Sequence, residues 1–98
     1  MKEQKFKKTP KNIERHIKGM ANHWRISMIL FIEKNEGASL DEMVESLDMN
    51  IKTASEHARK LNQAGLVNKK YAGRVVEHTL SPYGKFCASF IKKFLTTF

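Results

Sequence analysis

The side chains best suited to chemistry in this chain are cations, and they are gathered. Residues 51–74 hold six basic side chains, Lys52, Arg59, Lys60, Lys69, Lys70 and Arg74, against one acidic, Glu56. Lys and Arg donate hydrogen bonds while carrying full charge, which suits the phosphate oxygens and base-edge acceptors of a nucleic acid. Asn50, Thr53 and Ser55 lie among them with short polar side chains that can bond to either. Glu56 opposes phosphate, but its carboxylate can accept from the amino group of cytosine. Otherwise it is a spacer, or a partner of Lys52 or Lys60 at i±4. These ten residues are the candidate DNA contacts. Each cation alone is also an ordinary solvated charge; their joint placement carries the reading.

The wider charge pattern agrees. The 98 residues carry a net charge of +8. Residues 1–25 hold eight basic and two acidic side chains, residues 26–50 one against six, and residues 51–98 nine against two. One face therefore turns toward a polyanion and another away, with nucleic acid the first candidate and an anionic membrane surface the second. Nothing resembles a nucleophile with its base, a phosphate loop or a carboxylate pair, so an enzyme is not expected. Cys87 is the single cysteine, which excludes an intramolecular disulfide and suits a reducing cytoplasm. His16, His23, His57 and His78 have no ligand spacing, and no metal or other cofactor is expected. The first eight residues lack the apolar stretch of a signal peptide, and Ile26–Ile32 is too short to span a bilayer.

The elements that must position the cations follow from periodicity and caps. Residues 1–11 read as a flexible basic arm, and residues 12–98 as one domain. A first helix runs from about Thr9 or Asn12 to Met20, with Ile13, Ile17 and Met20 at helical spacing. Asn22 caps a second helix over 23–36 that is apolar on most sides and should be buried on more than one face. Ser39-Leu-Asp-Glu42 is a capping box for a short helix over 40–47. Asp48-Met49 makes a turn with Asp48 at positive φ, and Asn50 caps a helix ending at Ala64-Gly65. Strands follow at 66–71 and 74–80 around Ala72-Gly73. Ser81-Pro82 opens a final helix.

The fold class is mainly α with a small β-hairpin wing, a winged helix-turn-helix of order α-α-α-α-β-β-α. In such an arrangement the second helix of the pair enters the major groove, its first residues meeting base edges. Ala54, Ala58 and Leu61 should face the core. Lys52 and Thr53 then read bases, Arg59 and Lys60 touch backbone, and Lys69, Lys70 and Arg74 carry the wing to phosphates or the minor groove.

The chain resembles the ArsR/SmtB-type winged-helix regulators over roughly residues 13–86. The resemblance rests on Met20-Ala-Asn-His-Trp-Arg-Ile26, Leu47-Asp-Met-Asn-Ile-Lys-Thr-Ala-Ser-Glu-His57, Leu61-Asn-Gln-Ala-Gly-Leu-Val67, Gly73-Arg74 and Leu80-Ser-Pro-Tyr-Gly84. It implies a homodimeric transcriptional regulator, usually a repressor, paired through its first and last helices. Asp48, Glu56 and His23-Trp24 depart from the family pattern. Members that sense metals do so through cysteines near the short helix or through His and acidic residues on the last helix. Residues 39–47 hold no cysteine, and residues 82–98 no His, Asp or Glu.

The last helix carries Tyr83, Phe86, Phe90, Ile91, Phe94 and Leu95 at helical spacing. That stripe either closes the monomer core or, widened by Ile91, Leu95 and Phe98, forms a dimer seam; a membrane-surface helix is the remaining reading. The dimer set is Ile13, Ile17, Phe86, Phe90, Ile91, Phe94 and Leu95. Three functions stay open: a sequence-specific DNA-binding regulator, a winged-helix protein-interaction module, and a nonspecific nucleic-acid binder.

Overall fold

A computed structural model describes residues 8–97; Lys2, Lys5 and Lys7 of the basic arm, and Phe98, lie outside it. Its elements are α1 (Pro10–Met20), α2 (His23–Lys34), α3 (Leu40–Leu47), α4 (Ile51–Gln63), β1 (Val67–Ala72), β2 (Val75–Leu80) and α5 (Pro82–Leu95). The order is the expected one, a helix-turn-helix of α3 and α4 followed by a two-stranded antiparallel wing.

The caps do what their side chains predict. Ser39 and Glu42 exchange bonds across the first turn of α3, at 3.1 and 2.8 Å. Asp48 ends α3 in the left-handed region at φ 54°, allowing the three-residue turn into α4. Asn22 and Asn50 each accept two amides at the starts of α2 and α4. Asn35 closes α2, which stops two residues short of the expected end. α1 begins within the expected range, directly after Thr9, and so overlaps the last residues of the arm. Thr9 and Asn12 form a capping box with Pro10 at the first position, so Pro10 and Lys11 are helical. Lys8 is also held, donating to His16 Nε2 at 2.9 Å and lying over the Tyr83 ring.

The hairpin differs from the expected one in register. Ala72 pairs with Val75, so the turn is Gly73-Arg74 rather than Ala72-Gly73. Gly73 takes φ +67° at the first central position, where a Cβ would be strained, and this places Arg74 at the tip.

The core gathers around Met28, Ile29 and Ile32 of α2, with Met43, Leu61, Leu66 and Val67 also fully buried. α5 packs on it through small residues. Gly84, Cys87, Ala88 and Ile91 are buried, whereas Phe86 and Phe94 are 74% and 68% exposed. Ile91 therefore belongs to the monomer core, which corrects its place in the dimer set.

Gly84 sits so close to the Leu66 carbonyl that a methyl group there would collide with backbone. Gly84→Ala should lower the unfolding free energy by about 1–3 kcal/mol, the range for overpacking. Urea denaturation checks this, and an unchanged midpoint would contradict it.

Candidate nucleic-acid interface

α4 is fixed from behind and open in front. Ala54, Ala58 and Leu61 are buried against the core, as their spacing requires. The opposite face runs through Lys52, Glu56, Arg59 and Gln63 at i, i+4, i+7 and i+11, all exposed. At the start of the helix, Asn50 Oδ1 accepts from the amides of Lys52 (2.8 Å) and Thr53 (3.2 Å). Lys52 thus projects from a rigid, electropositive helix terminus. Thr53 is half-buried on one flank, and exposed Ser55 lies on the flank nearer the wing.

Glu56 sets the electrostatics of the middle turn. Its Oε2 accepts from Arg59 at 3.2 Å and lies 4.0 Å from Lys60 Nζ. Of the two expected partners, Lys60 is near and Lys52 is not. A lysine N-terminal to a glutamate is the less favourable order at i,i+4. Arg59 also donates to Gln63 at 3.3 Å, so it is drawn along the helix in both directions.

The wing separates residues that are neighbours in sequence. Lys69 pairs with His78 and Tyr71 with Val76, on the face that turns toward α3 and α4. Lys70 pairs with Glu77 on the other face, where the opposite charges offset one another. The inner face closes a groove of about 320 Å³ against Ser39, Asp41 and Ser55, with Lys69, Tyr71 and Arg74 on its wing side. Tyr71, 74% exposed, is an addition to the candidates. An aromatic residue on a strand is also an ordinary β former, so its type alone does not single it out. The wing is pinned to the start of α3 by Ala38, whose carbonyl accepts from the backbone and Nδ1 of His78, at 2.9 and 2.8 Å.

Two further polar links hold α4 in place. Arg25 of α2 donates to the Gly19 carbonyl (2.6 Å) and to His57 Nδ1 of α4 (2.9 Å). Arginine can only donate, so this geometry requires His57 Nδ1 to be unprotonated. His16 of α1 bonds through Nδ1 to the Ala64 carbonyl at 2.7 Å and stacks on Tyr83. No spacing rule could have found them, because the partners are 32 and 48 residues apart.

Separate from the wing groove, α1 and α5 leave an apolar groove of about 500 Å³, lined by Ile13, Ile17, Met20, Phe86, Cys87 and Phe90 among others. Cys87 is buried, and desolvation pushes its thiol above the ordinary value. Among the described residues no three His, Cys, Asp or Glu gather as metal ligands, and no helix is long and apolar enough to cross a membrane.

Neither protein-family models nor curated protein sequences show a match to the chain. Solved structures do. HlyU from Vibrio cholerae N16961 is 25% identical at a TM-score of 0.82, with 94% of this chain and 100% of that one covered. The transcriptional repressor PagR of Bacillus anthracis is 15% identical at 0.76, over 83% and 93%. The homodimeric winged helix-turn-helix DNA-binding domain of Mb0332 from Mycobacterium bovis is 20% identical at 0.75, over 97% and 90%. The fold is a winged helix-turn-helix.

His57 is held below its ordinary value by burial, then by the charges of Arg25, Lys60 and His23, with Glu56 opposing. Burial also lowers His78, with a smaller contribution from Lys69 and the Ala38 carbonyl opposing. The unfolded chain therefore takes up these protons first on acidification. The stabilisation is full above about pH 6.5 and is lost as pH falls through the folded values. Thermal unfolding followed from pH 7.5 to 5.5 should show a falling midpoint, with a shallower fall in His57→Gln. A slope unaffected by the substitution would contradict this.

Proposed function

We propose that the chain is a DNA-binding transcriptional regulator, acting as a homodimer and most simply as a repressor. The observation that carries this is the outward face of α4: a capped helix start bearing Lys52, backed by a rigid core and flanked by a basic wing. In this reading α4 enters the major groove, with Lys52 nearest the base edges and Asn50, Thr53 and Ser55 around it. Lys60, Lys69 and Arg74 supply phosphate affinity, joined by Tyr71. Arg59 and Lys70 contribute less, because Glu56 and Glu77 offset them. The likeness to PagR and to the homodimeric Mb0332 domain supports a repressor and a dimer. It also suits the ArsR-like resemblance and a cytoplasmic setting.

The dimer would form through Ile13, Ile17, Phe86, Phe90, Phe94 and Leu95, all exposed in the single chain. Exposed apolar residues concentrated on one side mark an interaction surface. A second subunit would place a second α4 for a two-fold symmetric site. A protein-interaction module would leave the outward cations of α4 and the wing unused.

Selection of duplexes from a random pool tests the reading. The protein should enrich a two-fold symmetric sequence, with affinity falling steeply as salt rises. Lys52→Ala should relax preference at one position of each half-site. Lys69→Ala with Arg74→Ala should weaken all sequences alike and flatten the salt slope by about one unit for each phosphate no longer neutralised. An unenriched pool would overturn sequence-specific regulation.

A further inference from the structure

We infer that Glu56 is a specificity-determining residue that accepts a hydrogen bond from the exocyclic amino group of a cytosine in the major groove. This rests on the proposal that α4 enters that groove, and it deepens that proposal by naming one base.

Three observations carry it. First, Glu56 lies on the outward stripe with Lys52, Arg59 and Gln63, opposite the buried Ala54, Ala58 and Leu61. It is the only acidic residue of α4, and it occupies the middle of the face that meets DNA. A bare carboxylate there would face a polyanion unfavourably whatever the sequence. Second, that charge is already met. Arg59 bonds to Glu56 at 3.2 Å and Lys60 approaches to 4.0 Å, so the carboxylate enters the groove as part of a neutralised group. Third, both cations reach the same oxygen, Oε2. Oε1 has no hydrogen-bond partner among the described residues and remains an acceptor on an outward-facing side chain.

An acceptor placed at the base edges discriminates. Cytosine and adenine both present an exocyclic amino donor in the major groove, but adenine sets the acceptor N7 beside it, which repels a carboxylate; guanine presents N7 and O6 and thymine O4, all acceptors that would repel it. Arg59, held by Glu56 and Gln63, positions the carboxylate rather than reading a base itself. The alternative is a spacer that merely offsets Arg59. It predicts that removing Glu56 strengthens binding to every sequence equally.

The test is the random-duplex selection, run on the full chain as wild type, Glu56→Gln and Glu56→Ala. Binding is then measured on the wild-type consensus and its single-base variants. Glu56 is exposed on its helix, and the glutamine variant is isosteric, so a matching thermal unfolding profile verifies the fold. Wild type should prefer cytosine at one position of each half-site by roughly ten- to a hundredfold. Glu56→Ala should lose that preference at that position alone. Glu56→Gln should move it toward adenine, whose N6 and N7 match an amide. An enriched sequence with no cytosine position that responds to either substitution, or a uniform gain in affinity across all duplexes, overturns the role of Glu56 while leaving the regulator standing. A wild-type pool with no enriched sequence overturns both.

Discussion

The structure depends on the turn that follows the recognition helix, residues 64–66. α4 runs into it and β1 out of it, and α1 and the start of α5 bond to its backbone. His16 of α1 donates to the Ala64 carbonyl, and Ser81 at the start of α5 bonds through Oγ to the Gly65 carbonyl (2.6 Å) and through its amide to the Leu66 carbonyl (3.0 Å). Asn62 of α4 reaches forward to the Val67 carbonyl of β1 at 2.8 Å. Helix ends leave carbonyls without partners, and burying them unsatisfied would be expensive. Here those carbonyls become the joint through which α1, α4, the wing and α5 are set relative to one another. The close approach of Gly84 to Leu66 tightens the same joint.

That arrangement explains how a chain of 98 residues presents a rigid surface. The wing cannot shift along α4 without breaking the Asn62 and Ser81 bonds. It cannot lift from α3 without losing the Ala38–His78 bonds. α4 is tied to α2 by Arg25 and His57, from the side away from the wing. The proposed base reading needs side chains held to within a fraction of an ångström, and these links are the contacts that would hold them. Two of them pass through histidines, so the frame that orients α4 and the wing is itself sensitive to protons.

Much of this was legible in the sequence, and what was missed has a physical reason. Caps are short-range chemistry: Asn22, Ser39 with Glu42, Asn50 and Ser81 each announce a helix within three residues. Asp48 marked the turn because few residues accept its backbone conformation. The start of α1 was bracketed between Thr9 and Asn12 rather than fixed, since Asn12 takes the capping-box place usually held by Glu or Gln. The hairpin slipped by one because Ala72-Gly73 and Gly73-Arg74 both offer a glycine to a two-residue turn, and only pairing decides between them. On α5 the large residues left two readings open, core or seam, because their spacing does not say which face packs. Where a helix lies close against backbone, small residues are needed, so Gly84, Cys87 and Ala88 face the core and the phenylalanines face out. The histidine and arginine links escaped entirely, being tertiary bonds with no local pattern.

The molecule thus has one face that is basic and rigid and another that is apolar and exposed. In the proposed dimer the two faces act together, because pairing through α1 and α5 sets the distance between two copies of α4. Hydroxyl-radical footprinting of the protein on its selected duplex tests this most directly. The expected result is two protected patches on the same side of the helix, about one turn (34–36 Å) apart. A single patch, or uniform protection along the duplex, would contradict it.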